Sequence, residues 1–201
     1  MMKKYNINQT TLKILGLYRN DYRRSLHLRQ ISRETNVDVK AIQLQLKRLE
    51  KTNVLASTRK GRNKEYCVDL GNPITEYHMI LAEAFTSICY LSRNFLIKKI
   101  VSEIKNMIDG IVILFGSFAE ERITKESDID LFILAEKKLD LNVIREIGDL
   151  VGREISIKLA SQADFLKGLE NRDPLIGEVV SKHIVLKGID NFCDIMWRYY
   201  A

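Results

Sequence analysis

One stretch constrains this chain more than any other. Gly116-Ser117-Phe118-Ala119-Glu120-Glu121-Arg122-Ile123-Thr124-Lys125-Glu126-Ser127-Asp128-Ile129-Asp130 sits between two short apolar runs, Ile111–Phe115 before it and Leu131–Leu134 after it. Short apolar runs bounded by turn-forming residues suit buried strands. A Gly-Ser pair therefore leaves the end of one strand, and two aspartates open the next. Alternation along a strand puts Asp128 and Asp130 on one face, with Ile129 and Leu131 on the other. Two carboxylates that close repel unless a cation sits between them, and oxygen ligands of this kind suit Mg²⁺. Gly116 lets the backbone pass close to a ligand. Ser117 offers a hydroxyl and opens a short helix, whose free N–H groups attract phosphate. Together these parts predict a place for a metal-bound nucleoside triphosphate. The plainer alternative is a surface loop carrying a solvated acidic pair.

Gly116-Ser117, ten residues from Phe118 to Ser127, then Asp128-x-Asp130 resembles the signature of the minimal nucleotidyltransferases. The resemblance runs from Ile111 to the C-terminus. It implies that Asp128 and Asp130 are catalytic and hold Mg²⁺ with ATP or another nucleoside triphosphate, and that Gly116 and Ser117 bind the nucleotide. It also implies a third carboxylate, from a later strand, that completes the metal site and helps activate the acceptor. The matching segment is Gly152–Leu159, where Ile155, Ile157 and Leu159 are expected to form a buried face and Glu154, Ser156 and Lys158 the other. The family usually places Asp where this chain has Ser156. A serine neither carries charge for a second metal nor deprotonates an attacking hydroxyl at neutral pH. Glu154, one pleat away on the same face, is the candidate replacement; the alternative is a site that binds nucleotide without transferring it. A helix over Pro174–Val180, a strand over His183–Leu186 and a closing helix over Ile189–Tyr200 fit the family's usual ending. His183 reads as a strand residue rather than a ligand.

The 201 residues carry a net charge of +6, unevenly spread. Residues 1–72 hold 16 Lys and Arg against 6 Asp and Glu, a balance of +10; residues 73–201 hold 16 against 20, a balance of −4. The sign changes at Gly71-Asn72-Pro73, a turn signal that marks a boundary. Three regions follow: 1–72, a linker helix region at 73–108, and 109–201. A basic half joined to a mildly acidic half places nucleic acid on the first. No apolar run approaches the ~20 residues of a membrane span, and no apolar signal-peptide core follows Met1–Asn6. Cys67, Cys89 and Cys193 are far apart and lack Cys-x-x-Cys pairing, which argues against a disulfide scaffold or a zinc site. A cytoplasmic protein is expected.

In the basic half, Leu12, Leu15 and Tyr18 have helical spacing, and Leu28–Thr35 forms a second helical pattern. Asn36 follows where a left-handed turn residue is expected, and Asp38 suits the N-cap of a third helix. Ile42, Leu46 and Leu49 make that helix's buried stripe, which leaves Lys40, Gln43, Lys47 and Lys51 outward. Asn53 reads as another left-handed cap. Strands over Val54–Thr58 and Glu65–Leu70 flank a basic turn, Arg59 to Lys64. The order resembles a winged helix-turn-helix domain over residues 7–70. The resemblance implies that the third helix enters the major groove of double-stranded DNA, with Lys40 and Gln43 at base edges. Lys47 shares that outward face. Arg48, Arg59, Lys60, Arg62 and Lys64 would meet phosphates. A basic winged helix that binds protein is the alternative.

Between the halves, Ile74 to Ile108 carries a wide apolar stripe at helical spacing. Part packs on the second domain; the rest either joins the same core or pairs with another copy, making a homodimer. The expected fold is α/β (α+β), with an N-terminal winged helix-turn-helix, a long linker helix and a C-terminal nucleotidyltransferase-like mixed sheet with flanking helices. Two functions stay open. One is a DNA-binding transcriptional regulator whose second domain binds Mg²⁺-nucleoside triphosphate. The other is an active enzyme that transfers a nucleoside monophosphate to a protein or small-molecule hydroxyl, in the manner of an antitoxin where the acceptor is a partner protein.

Overall fold

Short polar residues fix where the helices of the first half begin and end. The structure is a computed structural model that describes residues 7–61, 63–104, 106–136 and 141–201. Helix α1 (Gln9–Gly16) starts at Asn8, whose side-chain oxygen accepts from the Thr11 N–H at 2.9 Å. After the two-residue strand β1 (Leu26–His27), α2 (Leu28–Thr35) starts with His27 Nδ1 accepting from the Gln30 N–H at 3.2 Å. Asp38 caps α3 (Val39–Lys51) by accepting from the Lys40 and Ala41 N–H groups. Both α2 and α3 close over an asparagine in the left-handed region, Asn36 (φ 52°) and Asn53 (φ 55°). The Val37 N–H then reaches Ser32 O, and the Val54 N–H reaches Leu49 O, which satisfies carbonyls the helix ends would leave open.

Strands β2 (Leu55–Lys60) and β3 (Asn63–Val68) form an antiparallel hairpin, and β1 pairs on the far edge of β3. The ladder runs on to Lys60↔Asn63, so Arg59, Lys60, Asn63 and Lys64 belong to strands and only residues 61–62 connect them. The basic turn expected from the sequence is thus shorter, because the ladder takes in Arg59, Lys60, Asn63 and Lys64; Gly61 leaves β2 in the left-handed region at φ 62°. Helix α1 ends before Tyr18. Tyr18 is buried nonetheless, and its hydroxyl donates to the Tyr66 carbonyl at 2.9 Å. Burial pushes that phenol well above its ordinary pKa. Ile14, Leu15, Ile31, Ile42, Leu46 and Leu49 fill the core beneath the small sheet.

Helix α4 (Pro73–Arg93) opens with Asn72 accepting from the Ile74 N–H, and α5 (Phe95–Ile104) follows after one residue. The chain divides into two compact units: one runs to Phe85 and takes in Tyr200–Ala201, and the other is Thr86–Tyr199. In the first unit, Glu83 of α4 receives Arg19 in a buried bidentate pair, with Nε to Oε2 at 2.7 Å and Nη2 on Oε1.

In the second unit, β4 (Ile111–Phe115), α6 (Gly116–Ala119), β5 (Ile129–Leu134), α7 (Leu141–Val151), β6 (Ile155–Ala160), α8 (Gln162–Glu170), α9 (Pro174–Ser181), β7 (Ile184–Lys187) and α10 (Ile189–Tyr200) follow in order. The sheet order is β6-β5-β4-β7, with β5 and β6 parallel and the other neighbours antiparallel. Every residue of β4 is buried, as a central strand covered on both faces requires. One face, with Val112, Leu114, Leu131 and Ile133, packs on Ile97, Ile100 and Ile104 of α5 and on Ile144 and Ile147 of α7. The other carries a chain of aromatic contacts from Phe115 through Phe132 to Phe165 of α8 and Phe192 of α10, with ring centroids 6.4, 5.7 and 6.4 Å apart. His183 lies just before β7, against Phe192. The fold is therefore the expected α/β arrangement, a mixed sheet between helices. Leu159 departs from expectation: it is 50% exposed, because β6 is the edge strand. No helix among the described residues is long and apolar enough to cross a membrane.

Candidate functional site

The pairing Phe115↔Asp130 sets Asp130 opposite the last residue of β4, where the chain turns away into α6. Gly116 makes that turn at φ 66°, and a Cβ there would lie 2.5 Å from Asp130 Oδ2. Both the backbone angle and the carboxylate demand glycine. Ser117 is half-buried in α6, and its carbonyl accepts from the Arg122 N–H at 2.9 Å. Tyr90 of α4 pins this short helix: its hydroxyl donates to the Phe118 carbonyl at 2.9 Å, and burial raises its pKa to about 12.

Asp130 is half-buried and faces Ser156 across the parallel β5–β6 pairing. Burial pushes its carboxyl above the ordinary range. A hydrogen bond from the Ser156 hydroxyl opposes that shift, the charges of Asp128 and Glu178 add to it, and Lys158 opposes it. Asp128 stands exposed one residue before β5. The structure thus brings Asp128, Asp130, Ser156 and Gly116 to one end of the sheet. Glu154 is held there by its backbone, its carbonyl accepting from the Ile129 N–H at 2.9 Å, while its side chain is exposed. The carboxylate that bears on Asp130 from a later element is Glu178 of α9.

Sequence reasoning missed two more groups here. Arg153 grips the turn before Asp128, donating from Nη1 to the carbonyls of Thr124, Lys125 and Ser127. Glu120 draws in Arg122 and Lys182, the latter at 3.3 Å. None of these partners is local in sequence except Arg122, so periodicity and spacing carried no signal for the others. Among the described residues, no group of three or more His, Cys, Asp or Glu side chains could cage a metal. Two carboxylates are nonetheless what Mg²⁺ takes from protein when substrate phosphates and water supply its other oxygens. The donor set fits one such ion.

The first unit presents a different surface. Lys40, Gln43, Lys47 and Arg48 are exposed on α3, as the sequence leads one to expect. An open cavity of about 670 Å³ lies between α2, α3 and the hairpin, lined among others by Arg29, Gln43, Lys47, Lys64 and Tyr66. Its charge is partly cancelled. Lys64 Nζ sits 2.6 and 2.8 Å from the Glu50 carboxylate oxygens, which also accept from the Ser57 hydroxyl. Lys60 Nζ sits 2.9 Å from Glu65 Oε2. Arg59 is exposed, with no ion pair among the described residues. Arg62 lies outside the described residues.

Comparison with known proteins finds a family match over part of the chain. Residues 96–191 match the family described as Polymerase beta, Nucleotidyltransferase. No curated protein matches. Among solved structures, a toxin–antitoxin crystallised with AMP-PNP is 19% identical, with 50% of this chain and 82% of that chain covered and a TM-score of 0.37.

Proposed function

Starting from a nucleotidyltransferase domain over residues 96–191, we propose that the chain is a DNA-binding transcriptional regulator whose second unit binds Mg²⁺ with a nucleoside triphosphate. The observation that carries the nucleotide half is the approach of Gly116 to Asp130, which leaves no room for any side chain beside the carboxylate. Asp128 and Asp130 would hold the ion. Bound there, Mg²⁺ would neutralise phosphate charge and the repulsion within the acidic pair. Ser156 steadies Asp130 by its hydrogen bond, Ser117 offers a hydroxyl beside the bare backbone of Gly116, and Arg153 fixes the loop that ends at Asp128. Calorimetry with Mg²⁺-ATP tests this half. Binding by the natural chain that Asp130→Asn abolishes is expected; no heat at millimolar nucleotide overturns it.

The DNA half rests on element order and exposed charge. Helix, short strand, two helices and a hairpin, with β1 on the hairpin's edge, support a winged helix-turn-helix reading. Lys40 and Gln43 would reach base edges, while Lys47, Arg48, Arg59 and Arg62 meet phosphates, joined by Lys60 and Lys64 once they leave their carboxylate partners. The full chain should shift duplex DNA in a gel, with affinity that falls steeply as salt rises. Salt-insensitive binding, or none, sinks it.

A second reading, an active nucleotidyltransferase acting on a protein or small-molecule hydroxyl, is favoured by one observation. The charge of Glu178 on α9 bears on Asp130, whereas Ser156 carries none. Incubation with labelled ATP, Mg²⁺ and cell lysate tests it. Label transfer supports this reading; its loss in Glu178→Gln but not in Glu154→Gln would give the added charge to α9 rather than to Glu154, and no transfer at all sinks it.

A further inference from the structure

Strand β6 ends its sheet with one edge unpaired. The Glu154 and Ala160 carbonyls accept from the Ile129 and Ala135 N–H groups along β5. A strand turns its backbone groups to alternate sides, so those of Ile155, Ile157 and Leu159 point away from β5. No backbone bond reaches them among the described residues. A cavity of about 410 Å³ lies beside this edge, between Ile157, Lys158 and Leu159 of the strand and Asp164, Gly168 and Ile176 of α8 and α9. Leu159 is exposed. A further strand has both the hydrogen bonds and the room to join.

An open edge invites any strand, and a lysine on it ordinarily turns other strands away. Here the lysine has its complement in the same strand. Glu154-Ile155-Ser156-Ile157-Lys158 reads acid, apolar, polar, apolar, base. Run antiparallel against a second copy, with the twofold axis at Ser156, it sets Glu154 opposite Lys158 twice and Ile155 opposite Ile157 twice. The outward backbone groups agree with that register, because Ile155 of one copy and Ile157 of the other then exchange hydrogen bonds directly. Moving the axis to Ile157 sets Lys158 opposite Ser156 and Glu154 opposite Ala160, which matches neither charge. Glu154 and Lys158 are both exposed, with no ion pair among the described residues. Two copies related by a twofold axis present the same patch to each other, so a self-complementary strand suits that symmetry.

We infer that the free edge of β6 is an interface for a second copy of this chain, joining two four-stranded sheets into one of eight. The pairing lies within the second unit, uses none of the apolar stripe of the linker helices, and does not depend on what either unit binds. It also brings the two sheet sites together. Ser156, at the axis, hydrogen-bonds Asp130, and three strand spacings, about 14 Å, separate the two Asp130 residues on one face of the joined sheet. Light scattering on the full chain at micromolar concentration should give at least twice the 23.3 kDa of one copy. Lys158→Glu sets glutamates opposite each other, and Glu154→Lys does so with lysines. Each should raise the dissociation constant on the order of 30-fold and halve the particle mass, with unchanged circular dichroism. Exchanging both charges, Glu154→Lys with Lys158→Glu, should restore the natural mass. Amide hydrogen exchange at Ile157 should run at least about tenfold faster in either single variant than in the natural or the charge-exchanged chain. A monomeric natural chain overturns the inference. So does an association that survives Lys158→Glu, or a folded charge-exchanged variant that fails to regain what the single changes remove.

Discussion

Arg19 and Glu83 in the first unit, and Asp128 and Asp130 in the second, are two pairs of charges arranged in opposite ways. The first is matched, buried and bidentate. The second is like-charged, half-exposed and set beside a glycine that cannot be replaced without displacing a carboxylate. A matched buried pair fixes how its elements sit, since either charge alone would be stranded in a poor solvent. A like-charged pair does the reverse: it opposes folding of the free protein, and its persistence makes physical sense if a cation joins it. The matched pair serves architecture, and the like-charged pair, on our proposal, serves binding.

Breaking the matched pair should give the largest effect. Glu83→Ala leaves Arg19 buried without its partner and should cost about 3–5 kcal/mol in urea unfolding. Replacing both, as Arg19→Met with Glu83→Leu, should recover most of the loss, because two apolar side chains of similar size need no partner. If the double change is as damaging as the single one, the pair contributes through packing rather than charge.

Asp130→Asn sharpens the contrast from the other side. Mg²⁺-ATP binding should weaken at least ~100-fold, about 2.7 kcal/mol, with no loss of folding stability at neutral pH. The sign follows from burial and the neighbouring Asp128. Asp130 binds its proton more readily folded than unfolded, so its ionised form destabilises the fold above its folded pKa. That penalty is relieved as pH falls through the folded pKa. Any stability gained by Asp130→Asn should therefore be full at pH 7 and absent below the ordinary value of 3.8. A variant less stable than the natural chain at pH 7 would mean that Asp130 is structural. Gly116→Ala should sit between these two: strained at φ 66° and pressing on Asp130, it should cost roughly 1–2 kcal/mol of stability and lose nucleotide binding as well.

What the sequence disclosed divides along the same line. Gly116, Ser117, Asp128 and Asp130 were legible because two β-strands and a fixed spacing place them, and backbone pairing is local enough to read. The caps at Asn36, Asp38 and Asn53, and the span of α10, were legible for the same reason. Glu178 and Arg153 were not, since Glu178 bears on Asp130 and Arg153 grips the loop before Asp128 only once α9 and the turn before β6 fold back. Nor did the sequence tell which side of α4 faces inward. Both sides carry apolar residues, and Glu83 becomes an inward residue only because Arg19, far off in the chain, is there to receive it. The hairpin teaches a similar lesson. A count of Lys and Arg made it strongly basic, yet Glu50 and Glu65, ordinary acidic residues in the sequence, hold two of its four cations.

That partial cancellation yields the smallest predicted effect. Hydrogen bonds from Lys64 and Ser57 hold the Glu50 carboxyl below its ordinary range, and Lys64 is raised in turn. A carboxylate with a depressed folded pKa stabilises the fold above its ordinary value of 4.5 and loses that contribution as pH falls through the folded pKa. Glu50→Gln should therefore flatten the acid limb of stability. At neutral pH it should cost only about 0.5 kcal/mol, since both side chains are partly solvated and screened. The same change frees the Lys64 ammonium. If the α3 and hairpin surface meets DNA as proposed, one more phosphate contact becomes available. The plot of log affinity against log salt should steepen by about 0.9, and affinity at low salt should rise a few-fold. Should affinity fall instead, the Glu50–Lys64 pair acts by holding the hairpin in shape, and this cation would belong with Arg19 among the matched charges rather than with those that await a partner.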